Sequence, residues 1–254
     1  SLHLTNPPFQ LLPNSLNVLW NIHNTGSFNK QMLEAHKHFQ YVFLNSFKQA
    51  NEMNKSLPYG KYVHVPYMVD TNFMNPKIQK GAIVGVTHDM FMKPLPNDCF
   101  KFYAEGCLHT RNNFEEVIRA YCDAFTNKDK VVLILKVLNT SRESNDNNFV
   151  KNHITDLKNK LKRDSLPRIV LINESLSDYE YAQIFANIDC FIAISKIDSL
   201  MSGLYHAVAF DKEIITPDYE GYSDLSGDSI AWTIKSVKEA QYNSLDRFYE
   251  SGDT

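Results

Sequence analysis

The residue types able to do chemistry concentrate in one stretch, SKIDSLMSGLYHAVAFDKEIITPD, residues 195–218. A small polar loop carries Lys196, Asp198 and Ser199. An apolar run follows from Leu204 to Phe210, and a β-branched run closes it at 213–216. One side chain that ordinarily titrates near neutral pH, His206, lies inside the apolar run. Loop, helix and strand in that order place the polar residues just before a helix. Gly203, beside the helix start, permits close backbone approach. A further cation, Arg111, stands in GCLHTRNN (106–113). Each residue also has a plainer reading. Asp198 can be a loop or cap aspartate, Lys196 and Arg111 solvated charges, and His206 a partly buried helix residue with a local hydrogen bond.

The elements that position these residues follow from periodicity. From about residue 98, strand-like runs at 99–106, 131–135, 168–172, 190–195 and 213–216 alternate with helical spacing at 112–125, 149–164, 177–188 and 203–210. Ser177 and Glu180 have capping-box spacing, and Asn113 with Glu116 offers a second cap. Strands alternating with helices imply a parallel sheet with right-handed crossovers, an α/β, Rossmann-like, doubly wound domain. Ligands of such sheets bind beyond the carboxyl ends of the strands. Those ends carry Gly106 to Asn113, Lys136 to Thr140, Asn173 to Ser177, Ser195 to Gly203 and Pro217 to Gly221. Before residue 77, strands at 17–24 and 40–46, helices at 27–38 and 47–56 and an extended segment at 62–70 make up part of a second α/β unit. The expected organisation is therefore 1–76 as a partial N-terminal domain, 77–97 as a linker, 98–235 as the C-terminal Rossmann-like domain and 236–254 as a tail.

Composition narrows the classes. The chain has 254 residues and a formal charge of −3, so it lacks the basic footprint of a nucleic-acid binder. No apolar run reaches the roughly 18 residues needed to span a membrane, and no signal peptide is visible. The four cysteines lack Cys-x-x-Cys spacing, which argues against a zinc site or a disulfide framework and for a reducing, cytoplasmic setting.

The pieces and their order resemble a known family. VHVPYMVDTNFMNP (63–76) is similar to the segment joining the two domains of family 4 glycosyltransferases. FYAEGCLHTRNNFEEVIRAYCDAF (102–125) resembles that family's G-R-L-x-x-R-K-N segment, and LSDYEYAQIFANIDCFIAIS (176–195) its L-S-x-x-E-L segment. DSLMSGLYHAVAFDKEIITPDYEGYSDL (198–225) resembles the E-G-F-G-L-P-x-L-E-A-M stretch. The resemblance spans roughly residues 17–235. It implies a B-type glycosyltransferase fold, two Rossmann-like domains facing across a cleft. The C-terminal domain would hold a nucleotide-sugar donor and the N-terminal domain most of an acceptor site, with no metal or other cofactor. The chain is short for that fold by on the order of 100 residues. Only the last part of the first domain is expected here, with room for a further catalytic domain or chain upstream.

The resemblance also assigns roles, and the chain departs from several of them. The family's two acids, eight positions apart, match Asp198 and His206, where a neutral histidine would accept from a ribose hydroxyl through one nitrogen. The basic pair that clamps the diphosphate matches Cys107 and Asn112, neither a cation, leaving Arg111, Lys196 and Lys136 to offset the charge. Two family glycines fall at Ser199 and Met201, which narrows the mouth of the pocket. His23, closing the first strand, matches a histidine that faces the cleft.

The expected function is a metal-independent, retaining glycosyltransferase moving a sugar from a nucleotide-sugar donor to a glycan, lipid or protein hydroxyl. His23 and Asp198 are its catalytic candidates. Gly106, Arg111, Asn112, Lys196, Ser199, Met201, Gly203 and His206 are its donor-binding candidates. The alternatives are a catalytically degenerate binding or assembly module, favoured by the missing cations, and another two-Rossmann nucleotide-sugar enzyme such as an epimerase.

Overall fold

The computed structural model describes residues 11–21, 28, 30–57, 60–78, 95, 98–107, 112–138, 152, 155–156, 159–160, 166–172, 174–193, 195, 201–218, 222, 224 and 230–235. They form two parallel sheets.

The smaller sheet has the order β1-β2-β3, with β1 Val18–Trp20, β2 Tyr41–Leu44 and β3 Tyr62–His64. Helix α1 (Lys30–His36) follows β1 and α2 (Phe47–Ser56) follows β2. Val42, Leu44 and Tyr62 point to one face and bury with Phe28, Phe39 and Ala50. The opposite face, with Val18, Trp20, Tyr41 and Val63, is exposed.

The larger sheet has the order β6-β5-β4-β7-β8-β9, every pair parallel. Its strands are β4 Phe100–Cys107, β5 Val131–Leu138, β6 Arg168–Ile172, β7 Cys190–Ile192, β8 Glu213–Pro217 and β9 Trp232–Ile234. Helices α3 (Phe114–Ala124), α4 (Asp178–Asn187) and α5 (Ser202–Ala209) connect them. The interior strand β5 reads VVLILKVL, an unbroken apolar run up to Lys136, as a strand buried on both faces must. Alternate residues feed two cores. Ala104, Leu133 and Leu135 pack with Phe114, Ile118 and Tyr121 of α3. Tyr103, Val132 and Ile134 pack with Ile184 and Phe185 of α4 and with Leu204 and Ala207 of α5. The sheet is therefore the middle layer of a three-layer α/β/α unit.

The expected strands at 99–106, 131–135, 168–172, 190–195 and 213–216 all join this sheet, although β7 stops at Ile192 and Ser195 makes only an isolated bridge. Strand β9 is an addition that sequence pattern does not reveal. Helix 149–164 is represented by helical positions 152, 155, 156, 159 and 160, the rest lying outside the described residues. The linker 77–97 and the tail 236–254 lie almost wholly outside them.

The two capping expectations part ways. Ser177 accepts from the Glu180 amide and Glu180 reaches back to Ser177, a complete capping box. Asn113 occupies the N-cap of α3 but makes no side-chain cap bond. Its ψ of 44° is far from the extended conformation a capping side chain uses, and Glu116 lies 3.7 Å from Arg119 instead.

Candidate functional site

Strands β5 and β6 extend the larger sheet to one side of β4, whereas β7, β8 and β9 extend it to the other. The direction of winding reverses between β4 and β7, and the crevice beyond their carboxyl ends is where an open α/β sheet takes its ligand. Several polar residues gather near that crevice.

Glu105, near the end of β4, accepts from the Tyr103 hydroxyl at 2.7 Å and from the Tyr181 hydroxyl of α4 at 2.8 and 3.0 Å. Tyr181 is also 3.3 Å from His206 Nδ1, and His206 Nε2 is 3.3 Å from the Tyr67 hydroxyl. The proton directions follow from the donor inventory. A carboxylate only accepts, so Tyr181 donates to Glu105. Its oxygen must then accept from His206 Nδ1–H, which leaves Nε2 to accept from Tyr67. His206 is 7% exposed and ringed edge-on by Tyr67, Tyr181 and Phe185. Burial disfavours its cation and pulls its pKa down to about 4, consistent with the neutral tautomer. Burial, then the charge of Glu105, holds the Tyr181 hydroxyl far above the ordinary tyrosine range, so it stays a donor.

Lys136 pairs in register with Glu105 on the neighbouring strand. Its ammonium is buried and donates to the Glu174 carbonyl at 2.7 Å. Burial lowers its pKa, while the charges of Glu105 and Glu174 oppose that shift.

The start of α5 is shaped by two backbone features. Met201 is its N-cap with φ 51° and ψ 33°, the left-handed region. The family glycine that falls here by resemblance fits that geometry without cost. A methionine strains it by about 1–2 kcal/mol, offset by burying a side chain that is 1% exposed. At Gly203, an added Cβ would strike the Glu105 carboxylate and sit 2.8 Å from Phe191 Cζ. The glycine is what lets α5 close onto β4 and β7.

The structure thus brings together four of the expected donor-binding residues. Gly106 lies at the end of β4, Met201 and Gly203 open α5, and His206 follows one turn later. Asn112 stands across the crevice, 7% exposed, where it bridges to Ser195 through the backbone and accepts the Ser195 hydroxyl at 3.0 Å. His23, Arg111, Lys196, Asp198 and Ser199 lie outside the described residues, as does the side chain of Cys107. Sequence reasoning overlooked Glu105, Tyr181 and Tyr67. An acid placed between Ala104 and Gly106 in an otherwise apolar strand was the available signal for the first. The tyrosines carry none, because their partners lie 76 and 139 positions away.

Tyr181→Phe is an informative single change. It removes a donor from Glu105 and leaves His206 Nδ1–H without its acceptor, so a destabilisation of about 1–3 kcal/mol is expected. Chemical unfolding of the variant checks it, and an unchanged midpoint would refute the network.

No family model and no curated protein matches the chain. Solved structures do. One is a glycosyltransferase from Rickettsia africae ESF-5, with a TM-score of 0.62 and 12% identity over 86% of this chain and 56% of that one. Another is the catalytic domain of starch synthase IV from Arabidopsis thaliana bound to ADP and acarbose, at 0.56 and 13% over 82% and 48%. A third is HepE from Anabaena in complex with UDP-glucose, at 0.55 and 12% over 85% and 58%. The chain spans about half the length of these structures. At such identities the likeness establishes the fold, the two-unit Rossmann-like architecture of B-type glycosyltransferases.

Proposed function

We propose that this chain is a glycosyltransferase of the family 4 kind that binds a nucleotide-sugar donor at the β4/β7 crevice and transfers the sugar to a hydroxyl acceptor. The observation that carries the reading is the polar cluster Glu105–Tyr181–His206–Tyr67 at the point where a doubly wound sheet takes its ligand, walled by a tyrosine from the segment after the smaller sheet. The solved structures with ADP and UDP-glucose support it through fold. Catalysis would rest on positioning and on offsetting leaving-group charge, with retention and without a metal. The first turn of α5 and the cations Lys136, Arg111 and Lys196 are the candidates for that charge. The acceptor, a glycan, lipid or protein hydroxyl, would enter from the smaller sheet.

Thermal unfolding with UDP-glucose and ADP-glucose tests the donor. A ligand at 100 times its Kd adds about 2.7 kcal/mol, which raises the Tm of a chain this size by about 5–10 °C. The shift and any turnover should survive EDTA. No shift with either sugar nucleotide counts against the reading, and loss in EDTA with rescue by manganese refutes its metal independence.

One observation favours a second reading, a degenerate module that binds without turnover. Where the resemblance puts a clamping cation, Asn112 is tied to Ser195. Donor binding in the thermal assay with no transfer or hydrolysis would select it.

A further inference from the structure

Helix α2 is capped by two residues from different units. Its first three N–H groups have no partner within the helix. Ser46, the N-cap, takes the third through its hydroxyl at 3.2 Å from the Gln49 amide. The first two go to Asp224, 177 and 176 positions later, beyond β8 of the larger sheet. Its Oδ2 accepts from the Phe47 amide at 2.6 Å and its Oδ1 from the Lys48 amide at 3.1 Å. The first turn of α2 holds no acid of its own and does hold Lys48, so its own sequence leaves the positive end of the helix uncompensated.

The charge of Asp224 is also felt next to the candidate site. Its charge, after burial, helps raise the pKa of Tyr205, the neighbour of His206 on α5. The Tyr205 ring lies 5.8 Å from that of Tyr67, which also reaches His206. The end of α2 that Asp224 holds adjoins the carboxyl edge of the smaller sheet. There Asn45 accepts from Trp20 Nε1 at 3.2 Å, and its carbonyl meets His64 Nε2 at 3.1 Å.

We propose that Asp224 is a positioning residue that sets the width of the cleft, its carboxylate capping α2 from the opposite unit and holding the carboxyl edge of the smaller sheet against α5. The contact itself is independent of any ligand. Its effect on transfer rests on the glycosyltransferase reading.

Amide exchange and small-angle scattering on the full chain test it without a ligand. In Asp224→Ala, exchange at Phe47 and Lys48 should quicken about tenfold, the equivalent of one lost charged hydrogen bond, while Gln49 and β5 stay protected. The radius of gyration should rise. Asp224→Asn, with one acceptor oxygen, should protect only one of the two amides, and Asp224→Glu should restore both. With UDP-glucose as the probe, Asp224→Ala should lower kcat about tenfold or more and leave donor Kd within about twofold, a split that a general loss of structure would not produce. Unchanged exchange and scattering in Asp224→Ala would overturn the proposal. So would protection lost throughout the larger sheet, which would make Asp224 a folding residue. A wild-type chain that ignores UDP-glucose would count against the donor reading alone, and the exchange and scattering results would still decide Asp224.

Discussion

Replacing His206 with glutamate is expected to destabilise the folded chain by about 3–5 kcal/mol at pH 7. Resemblance by itself points the other way, because an acid at this position restores the family's pattern and should keep or improve donor binding. The structure reverses the expectation. His206 is buried among aromatic rings, and a single tyrosine hydroxyl separates it from Glu105. A second carboxylate there either stays charged beside the first or takes up a proton at a raised pKa.

The two proteins should respond oppositely to acid. In the wild type the folded His206 pKa of about 4 lies below the unfolded 6.5. Between those values the unfolded chain binds more protons, so the histidine's contribution is present at pH 7 and lost as pH falls. Allowing for screening at the cleft, the loss from pH 7 to pH 5 is on the order of 1–2 kcal/mol. A buried glutamate with a raised pKa is relieved over the same range. Urea midpoints at both pH values should show the gap between wild type and His206→Glu narrowing at pH 5, with His206→Gln flat. A gap that widens, or a glutamate variant as stable as wild type, would refute the burial argument.

Gly203→Val is the second large effect, expected to cost about 3 kcal/mol and to abolish donor binding. Alanine separates the competing terms. Filling a helical glycine gains up to about 1 kcal/mol of backbone entropy. Here the new Cβ meets the Glu105 carboxylate, pinned by two tyrosines, and Phe191 Cζ at 2.8 Å inside the core. Overpacking of that kind costs about 1–3 kcal/mol, so Gly203→Ala should still be net destabilising, by about 1–2 kcal/mol. Valine adds two methyl groups to the same contact. Thermal melts of both variants, with and without UDP-glucose, measure it, and a stabilised Gly203→Ala would show that α5 can move off β4.

The larger sheet was legible in the chain because its information is local. Buried parallel strands are continuous apolar runs, and βαβ handedness then leaves few topologies. The run VVLIL, the helical spacing of Phe114, Ile118 and Tyr121, and the Ser177–Glu180 box each announce an element within a few residues of themselves. The opening of α5 was legible in the same way, through a small polar loop before an apolar stretch. Strand β9 was not. Trp232 and Ile234 are exposed on an edge, so its short run carries no burial pattern.

What the sequence determined by itself was the order of elements, the parallel sheet and the region where polar residues gather at strand ends. What only the tertiary structure decided was which of those residues touch. His206 reads equally well as a ribose acceptor or a packing residue until Tyr181 and Tyr67 are seen on its two nitrogens. Glu105 reads as an oddity in a strand until two tyrosines converge on it. Asp224 reads as one loop acid among several until α2 is found beneath it. The physical reason is common to all three. Periodicity reports the face a residue presents, because burial repeats every two or 3.6 positions. A hydrogen bond between residues 76, 139 or 177 positions apart leaves no repeat in the chain and exists only once the sheets have packed.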